Sequence, residues 1–65
     1  MKYKAKEDRF ARDEYGLLRL STRCFIKDKE YSEVDFEYEG YGYVGLIDEQ
    51  GDNHLTERMY FTTVP

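Results

Sequence analysis

The sequence predicts a small all-β domain of about five short antiparallel strands. Two patterns and one size limit lead there. Val34, Phe36 and Tyr38 alternate with Glu33, Asp35, Glu37 and Glu39, the period of two that a half-buried strand requires. A turn, Asp48-Glu49-Gln50-Gly51-Asp52, separates the apolar run Tyr41 to Asp48 from Asn53 to Glu57, with Gly51 where a hairpin loop wants positive φ. The chain has 65 residues, enough for one domain, residues 1–65. Such a domain buries about 60 % of its unfolded surface and draws roughly 3–5 kcal/mol from its core. A binding surface suits it better than a deep enclosed active site.

Taken in order, Tyr3 and Ala5 alternate with Lys2, Lys4 and Lys6, a first strand whose lysines would discourage pairing at a sheet edge. Glu7 to Tyr15 breaks the alternation. Phe10 and Ala11 amid charged neighbours predict a short helix near residues 8–15, ended by Gly16, or else a charged loop, since a helix this short is marginal alone. Leu17 to Ile26 reads as a strand with Leu18, Leu20, Thr22, Cys24 and Ile26 on one face. Cys24 is then a small buried hydrophobe. Lys27 to Glu30 connects to the strand Tyr31 to Tyr38, and Gly40 turns the chain into the next.

In that next strand Val44 and Leu46 share a face with Gly42, while Tyr41, Tyr43 and Ile47 share the other with Gly45. Glycines inside a strand allow bends and close backbone approach. The run Gly40-Tyr41-Gly42-Tyr43-Val44-Gly45 imitates a dinucleotide fingerprint. That motif needs a strand before it and a helix after it, and a hairpin follows here instead. No cofactor is expected. Near the end, one helical turn is expected at residues 57–61, with Thr56 as its cap. Thr62 to Val64 closes the domain as a short strand.

Charge is divided unevenly along the chain. Residues 1–29 carry nine basic and five acidic side chains (+4), whereas residues 30–65 carry one and nine (−8). The split either draws two halves of one fold together or presents a polar field to a partner. Cys24 is the lone cysteine, so no intramolecular disulfide staples the fold, which fits a reducing, cytoplasmic setting. No apolar stretch follows the basic opening Met1 to Asp8 as a signal peptide would require, and no run reaches the ~20 apolar residues of a membrane span.

The acids Asp48, Glu49 and Asp52 lack the alternating ligand spacing of a calcium loop. With His54 as the sole histidine, a multi-histidine metal centre is excluded, so no metal is expected and His54 reads as a cross-strand surface residue. No nucleophile stands beside that histidine in sequence, and no catalytic residue is assigned.

Three segments carry a family resemblance: Lys27-Asp28-Lys29-Glu30-Tyr31, Asp48-Glu49-Gln50-Gly51-Asp52, and Arg58-Met59-Tyr60-Phe61. Over roughly residues 27–65 the chain resembles the short SH3-like proteins of phage and prophage type. The resemblance implies a small SH3-like barrel and an accessory role in a bacterial host cell, with no single activity. The Asp8–Gly16 stretch departs from the pattern.

The expected function is non-enzymatic binding of another protein, as a docking module or inhibitor. The expected surface is Glu33, Asp35, Glu37 and Glu39 with Tyr38, Tyr41 and Tyr43. Carboxylates two residues apart on a strand sit about 6.6 Å from each other, so that face belongs in solvent or against cations. Tyrosine adds rigid amphipathic contact area. Two alternatives stand beside it. Lys2, Lys4, Lys6, Arg9, Arg12, Arg19 and Arg23, with Tyr3 and Phe10, would suit nucleic acid, against which the net charge of −4 works at long range. A homo-oligomeric module, a homodimer first, is the other.

Overall fold

The computed structural model describes residues 1–36 and 42–65. Among these the chain is all-β, with seven short strands and one 3₁₀ turn. They are β1 (Lys2–Ala5), β2 (Arg9–Arg12), β3 (Leu18–Phe25), β4 (Glu30–Ser32), β5 (Tyr43–Ile47), β6 (Asn53–Glu57), the 3₁₀ turn Arg58–Tyr60, and β7 (Phe61–Val64). They pair antiparallel in three small sheets: β4-β1-β7, β2-β3 and β5-β6. Beyond β4, Glu33 bridges Leu46, and the Val34 amide donates to the Gly45 carbonyl at 2.9 Å. The same segment thus passes from β1 to β5.

The short helix expected near residues 8–15 is a correction. Arg9–Arg12 is a strand paired with β3. The reason lies in Asp13, whose Oδ1 accepts the amides of Tyr15 and Leu17, both at 2.9 Å. A short polar side chain that captures nearby amides favours a turn over a helix. Gly16 completes the turn at φ +80°.

A second correction concerns the face of β3. Strict alternation would bury Leu18 and Leu20 and expose Phe25. Instead Leu18 and Leu20 are exposed, and Cys24 and Phe25 are both buried. The register explains this. Arg9 pairs with Phe25 but Phe10 with Arg23, and Ala11 pairs only with Arg19. Cys24 is therefore an extra residue that turns Phe25 inward, as a bulge does. Leu20, Ser21 and Thr22 form a wider second irregularity.

Phe25 is the centre of the core. Its ring meets those of Tyr31, Phe61 and His54 edge-on, at centroid distances of 4.9, 5.0 and 5.2 Å. Tyr3, Ala5, Cys24, Val44 and Leu46 complete the buried cluster. On β5 Val44 and Leu46 lie inside and Tyr43 and Ile47 outside, as expected, but Gly45, expected on the outer face, is also buried, because Phe36 and the Val34 carbonyl cover it. The hairpin turn at 48–52 also stands as expected, with Gly51 at φ +81°. The 3₁₀ turn is where the sequence placed a helical turn, but Thr56 does not cap it. Thr56 is buried on β6, and Glu57 is the cap residue without a side-chain bond.

The hairpin turn is fastened to the rest by hydrogen bonds. The Glu49 amide donates to the Cys24 carbonyl at 2.8 Å and Gln50 Nε2 to the Arg23 carbonyl at 3.1 Å. The buried Tyr31 hydroxyl donates to Glu49 Oε1 at 2.6 Å and accepts the Ile26 amide at 2.7 Å. Lys29 Nζ lies 2.7 Å from the same carboxylate oxygen. Burial first, then the bond to Glu49, pushes the Tyr31 phenol up to about 12. Bonds from Lys29 and Tyr31 hold the Glu49 carboxyl below its usual range.

The two shifts act at opposite ends of the pH scale. A raised phenol pKa gives stability that is complete below the unfolded value of about 10 and is lost as pH rises towards 12. A lowered carboxyl pKa gives stability present above the unfolded value and lost as pH falls through the folded one. Tyr31→Phe should therefore lose less stability than wild type between about pH 10 and 12, while costing about 1–3 kcal/mol at neutral pH because the Ile26 amide loses its acceptor. Thermal melts of both proteins across pH check this. Equal alkaline slopes would contradict it.

Candidate functional surface and cleft

Of the expected surface, Glu33, Asp35 and Tyr43 fall among the described residues. Glu33 is half-buried, and its Oε2 accepts the Tyr3 hydroxyl at 3.3 Å, so this carboxylate is turned towards β1. Asp35 is exposed, and Tyr43 is exposed at the start of β5. Glu37, Tyr38, Glu39 and Tyr41 lie outside the described residues.

Sequence reasoning missed a different surface. Tyr15, Leu17, Leu18 and Leu20 are 80, 66, 51 and 72 % exposed. All four belong to the β2–β3 hairpin. Arginines stand among them and are mostly engaged: Arg12 Nη1 donates to the Gly16 carbonyl at 2.7 Å, Arg23 lies 3.6 Å from Asp8, and Arg9 stacks 3.7 Å from the Tyr60 ring centroid. Arg19 makes no such contact among the described residues. The signal available in the sequence was the apolar pair Leu18 and Leu20, which strict alternation assigned to the core.

Between the β2–β3 and β5–β6 hairpins lies a cleft of about 350 Å³, lined by Arg9, Phe10, Tyr43, Leu55 and Glu57 over a floor that includes Cys24, Phe25 and His54. His54, expected on the surface, is half-buried, and its Nδ1 lies 3.2 Å from Asp48 Oδ2. Asp48 is itself buried, and its Oδ1 accepts the amides of Gln50 (2.9 Å) and Asp52 (3.0 Å). One ligand atom from each of Cys24, Asp48 and His54 lies within 4.8 Å of the other two. These residues are scattered over β3, the hairpin turn and β6, so no local spacing could reveal the group.

The thiol in this group is not prepared for nucleophilic work. Burial, then the charge of Asp48, pushes the Cys24 pKa up. A reactive cysteine needs the reverse, a neighbour that stabilises thiolate.

Among the described residues no helix is long and apolar enough to cross a membrane. No protein-family model, curated protein or solved structure matches this chain.

Proposed function

We propose that the chain is a non-enzymatic, SH3-like accessory module that binds another protein through the β2–β3 hairpin. The observation that carries this is the group of four exposed apolar side chains at Tyr15, Leu17, Leu18 and Leu20. Apolar side chains left exposed together on one hairpin suit an interaction site. Arg19, whose side chain makes no hydrogen bond or ion pair among the described residues, lies on the same hairpin, so the fitting partner is a protein whose apolar surface carries a carboxylate at its rim.

Support for the SH3-like arrangement comes from strand order. β7, β1 and β4 pair in sequence, the segment after β4 hands over to β5, and β5 pairs with β6. A 3₁₀ turn then precedes the last strand, as in the order that the sequence resemblance implied. The Asp8–Gly16 stretch forms one side of a hairpin between the first strand and the next, so it extends the pattern.

The hairpin displaces the acidic ladder as the docking surface because Glu33 is already engaged by Tyr3. Nucleic acid is disfavoured because Arg9, Arg12 and Arg23 are held by internal partners.

The test is capture from bacterial lysate by wild type, by the double variant Leu18→Ser with Leu20→Ser, and by Asp35→Lys. Both leucines are exposed, so the double variant should fold. A captured protein that Asp35→Lys retains and the double variant binds about ten-fold or more weakly supports the hairpin. Loss in Asp35→Lys alone would return the interface to the acidic face. A dimer in sedimentation that the leucine changes dissolve would make a second copy the occupant and overturn a foreign partner.

A further inference from the structure

We propose that Cys24, Asp48 and His54 form a binding site for one zinc ion. The donor set is the first reason. Thiolate, imidazole and carboxylate together suit zinc or its surrogate cobalt, whereas calcium and magnesium take oxygen alone.

Geometry is the second. Ligand atoms at about 2.0–2.3 Å from a shared ion lie roughly 3.3–3.6 Å apart at tetrahedral angles. His54 Nδ1 and Asp48 Oδ2 are a hydrogen-bonded pair 3.2 Å apart, a few tenths of an ångström short of that separation, and the ion would take the place of the shared proton. The two edges to Cys24 Sγ are no longer than 4.8 Å and close by at most roughly 1.5 Å on binding.

The surroundings fix two of the three ligands as metal sites require. The Gln50 and Asp52 amides hold Asp48 Oδ1 and leave Oδ2 for the ion. His54 is braced edge-on against Phe25. Cys24 and His54 both line the cleft, so the fourth position opens to solvent or to a side chain entering from outside. The site is independent of the hairpin surface, and either can stand without the other.

Cobalt titration of the purified protein tests the assignment. Wild type should take up one Co²⁺, show the visible bands of tetrahedral cobalt with a thiolate-to-metal charge-transfer band in the near ultraviolet, and lose both when Zn²⁺ is added. Cys24→Ser should lose the charge-transfer band, and His54→Gln should bind at least about ten-fold more weakly. His54 is half-buried and offers a variant that keeps its fold if Cys24→Ser does not. Zinc should also raise the melting temperature of wild type and leave that of His54→Gln unchanged. Absence of the charge-transfer band in wild type, or equal cobalt affinity in wild type and His54→Gln, overturns the site.

Discussion

Phe25→Ala should leave the domain largely unfolded at 25 °C. The ring is fully buried and contacts Tyr31, Phe61 and His54. Truncating a buried phenylalanine costs about 3–5 kcal/mol, and a core of this size supplies only about the same amount. The lost ring also removes the common neighbour of β4, β6 and β7, so the remaining side chains have nothing to close upon. Phe25→Leu keeps most of the volume and should cost about 1.5 kcal/mol. Amide proton NMR decides the matter: collapse of chemical-shift dispersion in the alanine variant and its retention in the leucine variant. A dispersed spectrum for Phe25→Ala would move the centre of the core elsewhere.

Gly45→Ala should cost about 2–3 kcal/mol, an overpacking effect. A methyl group at this buried position would meet the Phe36 ring and stand 2.7 Å from the Val34 carbonyl oxygen. The ring can swing aside, but the carbonyl belongs to the backbone that carries the strand from β1 to β5. Gly45→Val should be worse, since the same backbone must then yield further. Gly42→Ala is the control. Its backbone has φ +82° and nothing lies within 4 Å of an added methyl group, so only the conformational cost of about 1–2 kcal/mol applies. Urea denaturation ranks the three. Gly42→Ala costing more than Gly45→Ala would refute the close approach of Phe36 and Val34.

The contrast between these residues shows what the sequence could convey. Val44 and Leu46 were legible as core because β5 pairs with β6 in an unbroken register and both side chains share one face. Gly51 was legible because hairpin chemistry is local. Phe25 was not, since a bulge at Cys24 reverses the alternation and bulges leave no signature in a single chain. The strand at Arg9–Arg12 was hidden by its charges, and its pairing with β3 is a tertiary fact. Of the expected surface, Glu33 is turned towards β1 by the hydrogen bond from Tyr3, a contact between residues thirty apart that alternation along one strand does not reveal. The Cys24, Asp48 and His54 group escaped because its members are brought together only by folding.

The position of β1 between β4 and β7 also bears on how the protein is made. Lys2 pairs with Ser32 on one side and with Val64 on the other. During synthesis at about 5–20 residues per second, Lys2–Ala5 is polymerised roughly 3–12 s before β7. The earliest strand therefore waits longest for its neighbours, and contacts of such long sequence separation form slowly in any case. Once it has emerged, a stretch with β-strand character stands open to other chains until β7 arrives. Lys2, Lys4 and Lys6, spaced at every second residue, keep like charges along it and act as gatekeepers against premature pairing.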